Sequence, residues 1–327
     1  MSKLAVLFLL LHAAASSILA RVPRDGEDFA IALPSHNGQL HWQADGFKIV
    51  QSSAKPNGME IGIRGRDTDD RLHFLGFLFV VSEGGTLTSA KCRDGALEPE
   101  KKENQTLKVL STSQLRRQDN APIELMTYTA QGAGRPIIYM VRGFVASGDL
   151  CGDLEVYSNT PVTPDEPSIK KVFGSYRLDP NYVPQFRDLF LYAQVLYRDQ
   201  RYKEAAPIFE ASLAKLANDK AHANLRRATI DQAGMAYGIS GDTNKARALF
   251  DEAIAKDPDY PLYYYNLACA DAQEKKLADA RVHLQQAFQR KANVIPGEAL
   301  PDPAKDDSFL PYRKNEDFWR FIQSLQK

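Results

Sequence analysis

A helix-pair signature recurs along the C-terminal half of the chain and constrains the fold more than any other feature. In its clearest copy, small and aromatic residues fall at fixed offsets: Gly234, Tyr237, Gly241, Ala246, Phe250, Ala253 and Pro258. The template spans 227–260 and can be laid down again at 261–294 and at 186–219. A unit that repeats in this way cannot bury its apolar face alone and has to stack on a copy of itself. The third copy keeps Leu267, Ala268, Ala280, Leu284 and Ala287 in register, but carries Asp271 where an aromatic is expected and Ala292 in place of Pro. The first copy keeps Tyr202, Ala205, Phe209 and Leu213, with Ala193 in the small-residue place and Leu196 in the aromatic place. Extra residues around 218–224 allow the first helix of the second copy to begin early.

This register resembles the tetratricopeptide repeat (TPR), a helix-turn-helix unit of about 34 residues. In that family a small residue lets the two helices cross, an aromatic fills the gap between them, and a glycine permits the turn. Gly234, Tyr237 and Gly241 take those roles here. The resemblance implies that the first helix of each unit lines a concave groove. The lining would be Arg187, Phe190, Gln194 and Tyr197 in unit one, Asp231 and Met235 in unit two, and Tyr265 and Cys269 in unit three. Chaperone-binding members clamp a peptide carboxylate with Lys and Asn at such positions. Asp231 and Tyr265 disfavour that ligand, and the mixed lining suits an extended or helical peptide instead. The alternative is that these positions pack against other parts of the same chain.

Beyond Val294, Pro296, Gly297, Pro301 and Pro303 predict a loop over 296–307. Asn315 then caps a last helix with Phe318, Trp319, Ile322 and Leu325 at helical spacing, suited to cover the end of a repeat stack.

The N-terminal half reads differently. Extended runs at 29–33, 47–52 and 60–64 surround the turn signal Lys55-Pro56-Asn57-Gly58. The run 72–81 (LHFLGFLFVV) reads as a buried central strand, too short for a membrane span. A helix over 88–103 with Thr88 or Ser89 as its cap is followed by strands over 107–116, 123–130, 137–147 and 150–157, and by a helix from Asp165 to near Tyr176. This order predicts an α+β domain over 21–176, an antiparallel sheet with packed helices, joined by a linker at 177–185 to the all-α TPR domain. The Cys92 helix, the strand Ile137-Ile138-Tyr139-Met140-Val141 and the Gly148-Asp149 turn resemble PsbP-like α+β sandwich domains. No functional residues follow from that likeness.

Residues 1–20 read as a secretory signal: Lys3, the apolar run 4–11, then mostly small residues to Ala20. An exported, periplasmic or secreted, protein without a stable membrane span after cleavage is therefore expected. In an oxidising compartment Cys92 and Cys151 are the natural disulfide pair, against the alternative of two buried free thiols. Basic and acidic residues balance at 41 each, which gives no field to attract nucleic acid.

The chemistry-bearing residues do not converge in sequence. His36, His41 and His73 lack metal-ligand spacing, and the Asp67, Asp69 and Asp70 cluster lacks the ligands of a calcium loop. Nucleophile elbows and phosphate-cradling loops are missing, so neither a catalytic residue, a metal nor a cofactor is expected. The leading expectation is a non-catalytic scaffold binding a protein or peptide through the repeat groove. The alternative is a small-molecule or lipid site in the sheet domain beneath 72–81, with the repeats as support.

Overall fold

The computed structural model describes residues 28–55, 57–65, 71–81, 87–103, 106–115 and 122–325. The expected signal segment and the Asp67, Asp69 and Asp70 cluster lie outside them. The chain forms two compact units that meet in sequence between Asp199 and Gln200.

The first unit is built on a seven-stranded antiparallel sheet. Its strands are β3 (Phe47–Lys55), β4 (Gly58–Gly65), β5 (His73–Val80), β6 (Thr106–Leu115), β7 (Ile123–Gln131), β8 (Ile138–Ser147) and β9 (Leu150–Ser158). They lie in the order β3-β4-β5-β9-β8-β7-β6. Between Lys55 and Gly58, which pair across the ladder, the predicted turn closes β3 onto β4. The apolar run is an interior strand, with β4 on one side and β9 on the other. Its burial alternates, as the two-residue period of a strand requires.

A second sheet of three strands holds β1 (Asp28–Ala32), β2 (Gln39–Gln43) and β10 (Arg177–Asp179) in the order β1-β2-β10. Neither β2 nor β10 is among the strands read from the sequence. Phe29, Leu40 and Trp42 are buried, and the Trp42 ring lies where a side chain on Gly76 of β5 would be. Gly76 thus lets an indole settle against the large sheet.

Helix α1 (Ser89–Glu103) packs on β8 and β9, with the Thr88 hydroxyl accepting from the Lys91 amide at its start. It runs through Gly95 and Pro99 without interruption. A disulfide joins its Cys92 to Cys151 of β9, inside a core that includes Met126, Tyr128 and Phe144. Helix α2 (Pro167–Ser175) buries Ile169, Val172 and Phe173, and the Phe173 ring occupies the space above Gly143.

Helix α3 (Phe186–Arg198) also belongs to the first unit, where it packs on β3. Tyr192 donates to the Lys55 carbonyl at 3.3 Å and Arg198 to the Ser52 hydroxyl at 3.1 Å. The compact units therefore divide inside the first predicted repeat, between its two helices.

The second unit is helical: α4 (Tyr202–Leu213), α5 (Ala223–Ile239), α6 (Thr243–Lys256), α7 (Pro261–Gln273), α8 (Leu277–Gln289) and α9 (Glu316–Ser324). Helix α5 begins before position 227. Successive helices from α4 to α8 pack on one another, and α5 also touches α7, so the first helices of two hairpins lie side by side.

The repeat register is written into the backbone. Gln200, Gly241 and Lys275, equivalent positions of the three copies, all have left-handed φ, at 61°, 92° and 64°. In the last two copies the amide just past that residue closes the turn, Asp242 to the Tyr237 carbonyl and Lys276 to the Asp271 carbonyl. Ala193, Gly234 and Ala268 are buried in the small-residue place, and Phe209, Phe250 and Leu284 on the second helices.

Candidate functional site

The α5–α7 face carries four of the eight predicted groove residues: Asp231, Met235, Tyr265 and Cys269. The other four, Arg187, Phe190, Gln194 and Tyr197, are on α3 in the other unit. There Phe190 and Tyr197 are buried, Gln194 is half-buried and Arg187 is exposed. Phe190 stacks on Phe186 with ring centroids 5.4 Å apart.

Helix α7 explains why its face cannot stand open. Its sequence PLYYYNLACADAQ is apolar all round, and Leu262, Tyr263, Tyr264, Tyr265, Leu267 and Ala268 are all buried. A helix apolar on every side needs cover on every side. One side is supplied by α6 and α8, and another by the segment 295–312 that follows the repeats.

That covering segment makes a series of polar contacts with α7 and the residue before it. Tyr260 donates to Glu298 at 2.8 Å, Tyr265 to Asp306 at 3.0 Å, and Tyr312 returns a bond to the Ala272 carbonyl at 2.5 Å. The Cys269 thiol lies 3.9 Å from the same Asp306 oxygen. Between these points Ile295, Pro303 and Phe309 are buried, with Phe309 edge-on to Tyr265 at 6.0 Å. Tyr265 and Cys269 therefore already have an occupant over them. Burial pushes the Tyr265 hydroxyl and the Cys269 thiol well above their usual ranges, and the Asp306 carboxylate adds to both shifts.

Asp231 is closed in as well, only 4 % exposed, and accepts from the Asn266 amide at 2.6 Å. Burial first, then the charge of Glu298, push its carboxyl up to about 8. Burial also raises Glu298. A lone carboxylate in a dry site is costly, and holding a proton is the usual relief.

Beside Asp306–Ser308 lies a partly open cleft of about 120 Å³, walled by Met235, Gly238, Ile239, Phe250 and Ala270. Sequence reasoning missed Asn266, Glu298, Asp306 and Phe309. The signal available was the run Tyr263-Tyr264-Tyr265, which puts large side chains on every side of one helix.

At the aromatic place of the third copy, Asp271 is 1 % exposed and is held by His283 and Arg247, both at 2.6 Å. Burial raises its pKa, but these two partners outweigh burial and leave the carboxyl below its usual range. An ion cluster thus fills the gap that Tyr237 fills in the preceding copy.

In the sheet unit, Arg142 is buried between Asp153, Glu155 and Tyr128, with the Glu155 contact at 2.7 Å. Burial alone would lower the guanidinium pKa. The two carboxylates reverse that and hold it far above its usual value, while burial raises Asp153. This is a closed ion cluster inside the sheet core. His36 and His41 each lie near one carboxylate, Asp149 and Asp28, and His73 stacks on Tyr157. No cluster of His, Cys, Asp and Glu among the described residues could hold a metal ion. The space behind Phe74, Gly76 and Leu78 of β5 is packed: Trp42 lies over Gly76, Phe47 sits edge-on to Phe74 at 4.9 Å, and Leu78 is fully buried.

No protein-family model and no curated protein matches this chain. Among solved structures, the Sgt2 TPR domain from Aspergillus fumigatus aligns with 44% of this chain and 78% of its own, at 15% identity and TM-score 0.31. The Yersinia enterocolitica type III secretion translocator chaperone SycD aligns with 43% of this chain and 91% of its own, at 16% identity and TM-score 0.30. A multi-domain immunophilin from Arabidopsis thaliana covers 67% of this chain and 94% of its own, at 10% identity and TM-score 0.24. Likeness at this level carries no functional argument, and the reading below rests on the chain's own geometry. No helix among the described residues is long and apolar enough to cross a membrane.

Proposed function

We propose that this protein is an exported, non-catalytic interaction scaffold of the TPR type, whose α5–α7 face receives a segment of another protein. The observation that carries the reading is the coincidence of register and packing. Left-handed turns recur at Gln200, Gly241 and Lys275, and α5 and α7, each the first helix of its hairpin, lie side by side. That pairing places Met235, Tyr265 and Cys269 along one face, the latter two beneath the segment 295–312, a mixed lining suited to peptide recognition. Export is supported by the Cys92–Cys151 disulfide, since such bonds persist in oxidising compartments.

A displayed random-peptide library selected on the full chain tests the reading. Sequence-specific ligands lost on Met235→Arg are expected. Ligands insensitive to that change but lost on Leu75→Arg in β5 would move the function to the sheet. For export, the expected result is a mature N-terminus at or near Arg21 in the extracytoplasmic fraction. An intact Met1 there would end the signal-peptide assignment.

A further inference from the structure

We infer that the segment 295–312 is an internal stand-in for the partner, so that the α5–α7 face binds an extended acidic peptide of Asp-x-x-aromatic form once this segment lifts. The inference rests on the interaction-scaffold reading and adds the chemistry of the ligand and the device that controls access to it.

Three features of the contact support it. The segment has no regular structure before the short turn at Leu310–Tyr312, and two of its polar contacts with the repeats use its carboxylates as acceptors, while Tyr312 donates to the Ala272 carbonyl. Tyr260 and Tyr265 point hydroxyl donors at Glu298 and Asp306, a pattern that any suitably spaced acidic peptide can satisfy. The apolar anchor is Phe309, three residues after Asp306 and fully buried against Tyr265 and Phe318. Between those two anchors the fit is incomplete. Asp307 and Ser308 border a partly open cleft whose other walls include Met235, Ile239, Phe250 and Ala270. An apolar side chain at the half-buried Ser308 place in a competing peptide would extend into that cleft and cover apolar surface that the chain's own segment leaves open. Covering that apolar surface removes it from water, so a peptide with an apolar side chain there binds better than one with the resident sequence.

Native-state hydrogen exchange on the full chain is the first test. Amides of 297–309 are expected to open in a step separate from, and more frequent than, opening of α7 and α8. If they exchange only with the unfolding of those helices, the segment is an integral part of the core and the inference fails, while the scaffold reading survives through another face. The second test uses a labelled peptide of sequence 295–312 carrying Ser308→Leu. Binding at least tenfold tighter to the Asp306→Asn/Phe309→Ala chain than to the unaltered one is expected, together with loss of binding when the peptide itself carries Asp306→Asn and Phe309→Ala. Separate opening without any peptide binding to the altered chain would overturn the inference and count against the α5–α7 face as the scaffold's binding surface.

Discussion

The Phe250 ring of α6 lies against the bare backbone of Gly234 on α5, in the space that a Cβ on residue 234 would fill. This contact sets how closely the two helices of the hairpin cross. Alanine is the better helix former by about 1 kcal/mol, so on an open helix Gly234→Ala would stabilise. Here the added methyl overlaps the buried Phe250 ring, so the ring or the helix pair has to shift. We expect a net loss of about 1–3 kcal/mol, read as a lower urea midpoint for the helical unit. An unchanged or raised midpoint would mean that the hairpin can open at no cost.

Lys275 pays for the same turn that Gly241 makes freely. Its φ of 64° is left-handed, a region costing a residue with a Cβ about 1–2 kcal/mol. Lys275→Gly is expected to stabilise the helical unit by roughly 0.5–1 kcal/mol, after the added flexibility of the unfolded chain is subtracted. Gly241→Ala should cost a similar amount. Thermal unfolding followed at helical wavelengths separates the two, and shifts of the same sign would refute the turn assignment.

The disulfide ties α1 to β9 across a sequence separation of 59. In the chain-entropy model such a loop contributes about 4 kcal/mol. Cys92→Ala/Cys151→Ala should therefore lower the stability of the sheet unit by about 2–4 kcal/mol and leave the helical unit unchanged. Denatured but unreduced protein should show one reactive thiol, from Cys269. Three reactive thiols would mean that the bond does not form.

How far the fold could be read from residues follows from where each constraint lies. Gly234, Tyr237, Gly241, Ala246 and Phe250 announce the hairpin because its contacts are local and recur at fixed offsets. The strands from β3 to β9 announce themselves as extended or apolar runs bounded by turn residues such as Asn57 and Gly58. Strand β2 is weakly marked because Leu40 and Trp42 supply only two apolar positions between Gly38 and the Asp45-Gly46 turn. Strand β10 was hidden by Pro180, which reads as linker. The cover over Tyr265 was illegible for a different reason. Asp306 and Phe309 sit in a proline-rich loop, and their pairing with α7 is a spatial fact with no local pattern. The groove positions were placed by family register. That register says which way Tyr265 points and is silent on what lies above it.

Asp231 makes the closure of that face measurable by pH. Its neighbours are Asn266 and Tyr263 on α7, Tyr260 just before it, Glu298 on the covering segment and, beside Glu298, Arg227 on α5. Burial and Glu298 raise its pKa to about 8, against about 3.9 in an unfolded chain. Between roughly pH 4 and 8 the folded protein thus keeps a proton that the unfolded protein has lost. The contribution is fully present below the unfolded pKa and is lost as pH rises through the folded one, with a slope of about 1.4 kcal/mol per unit at most. Asp231→Asn keeps an acceptor for Asn266 and removes the titration. The variant should gain on the unaltered protein steadily from pH 5 to pH 8, with the gain levelling off above that. A difference independent of pH would show that water reaches Asp231 and that the segment 295–312 does not seal the face in solution.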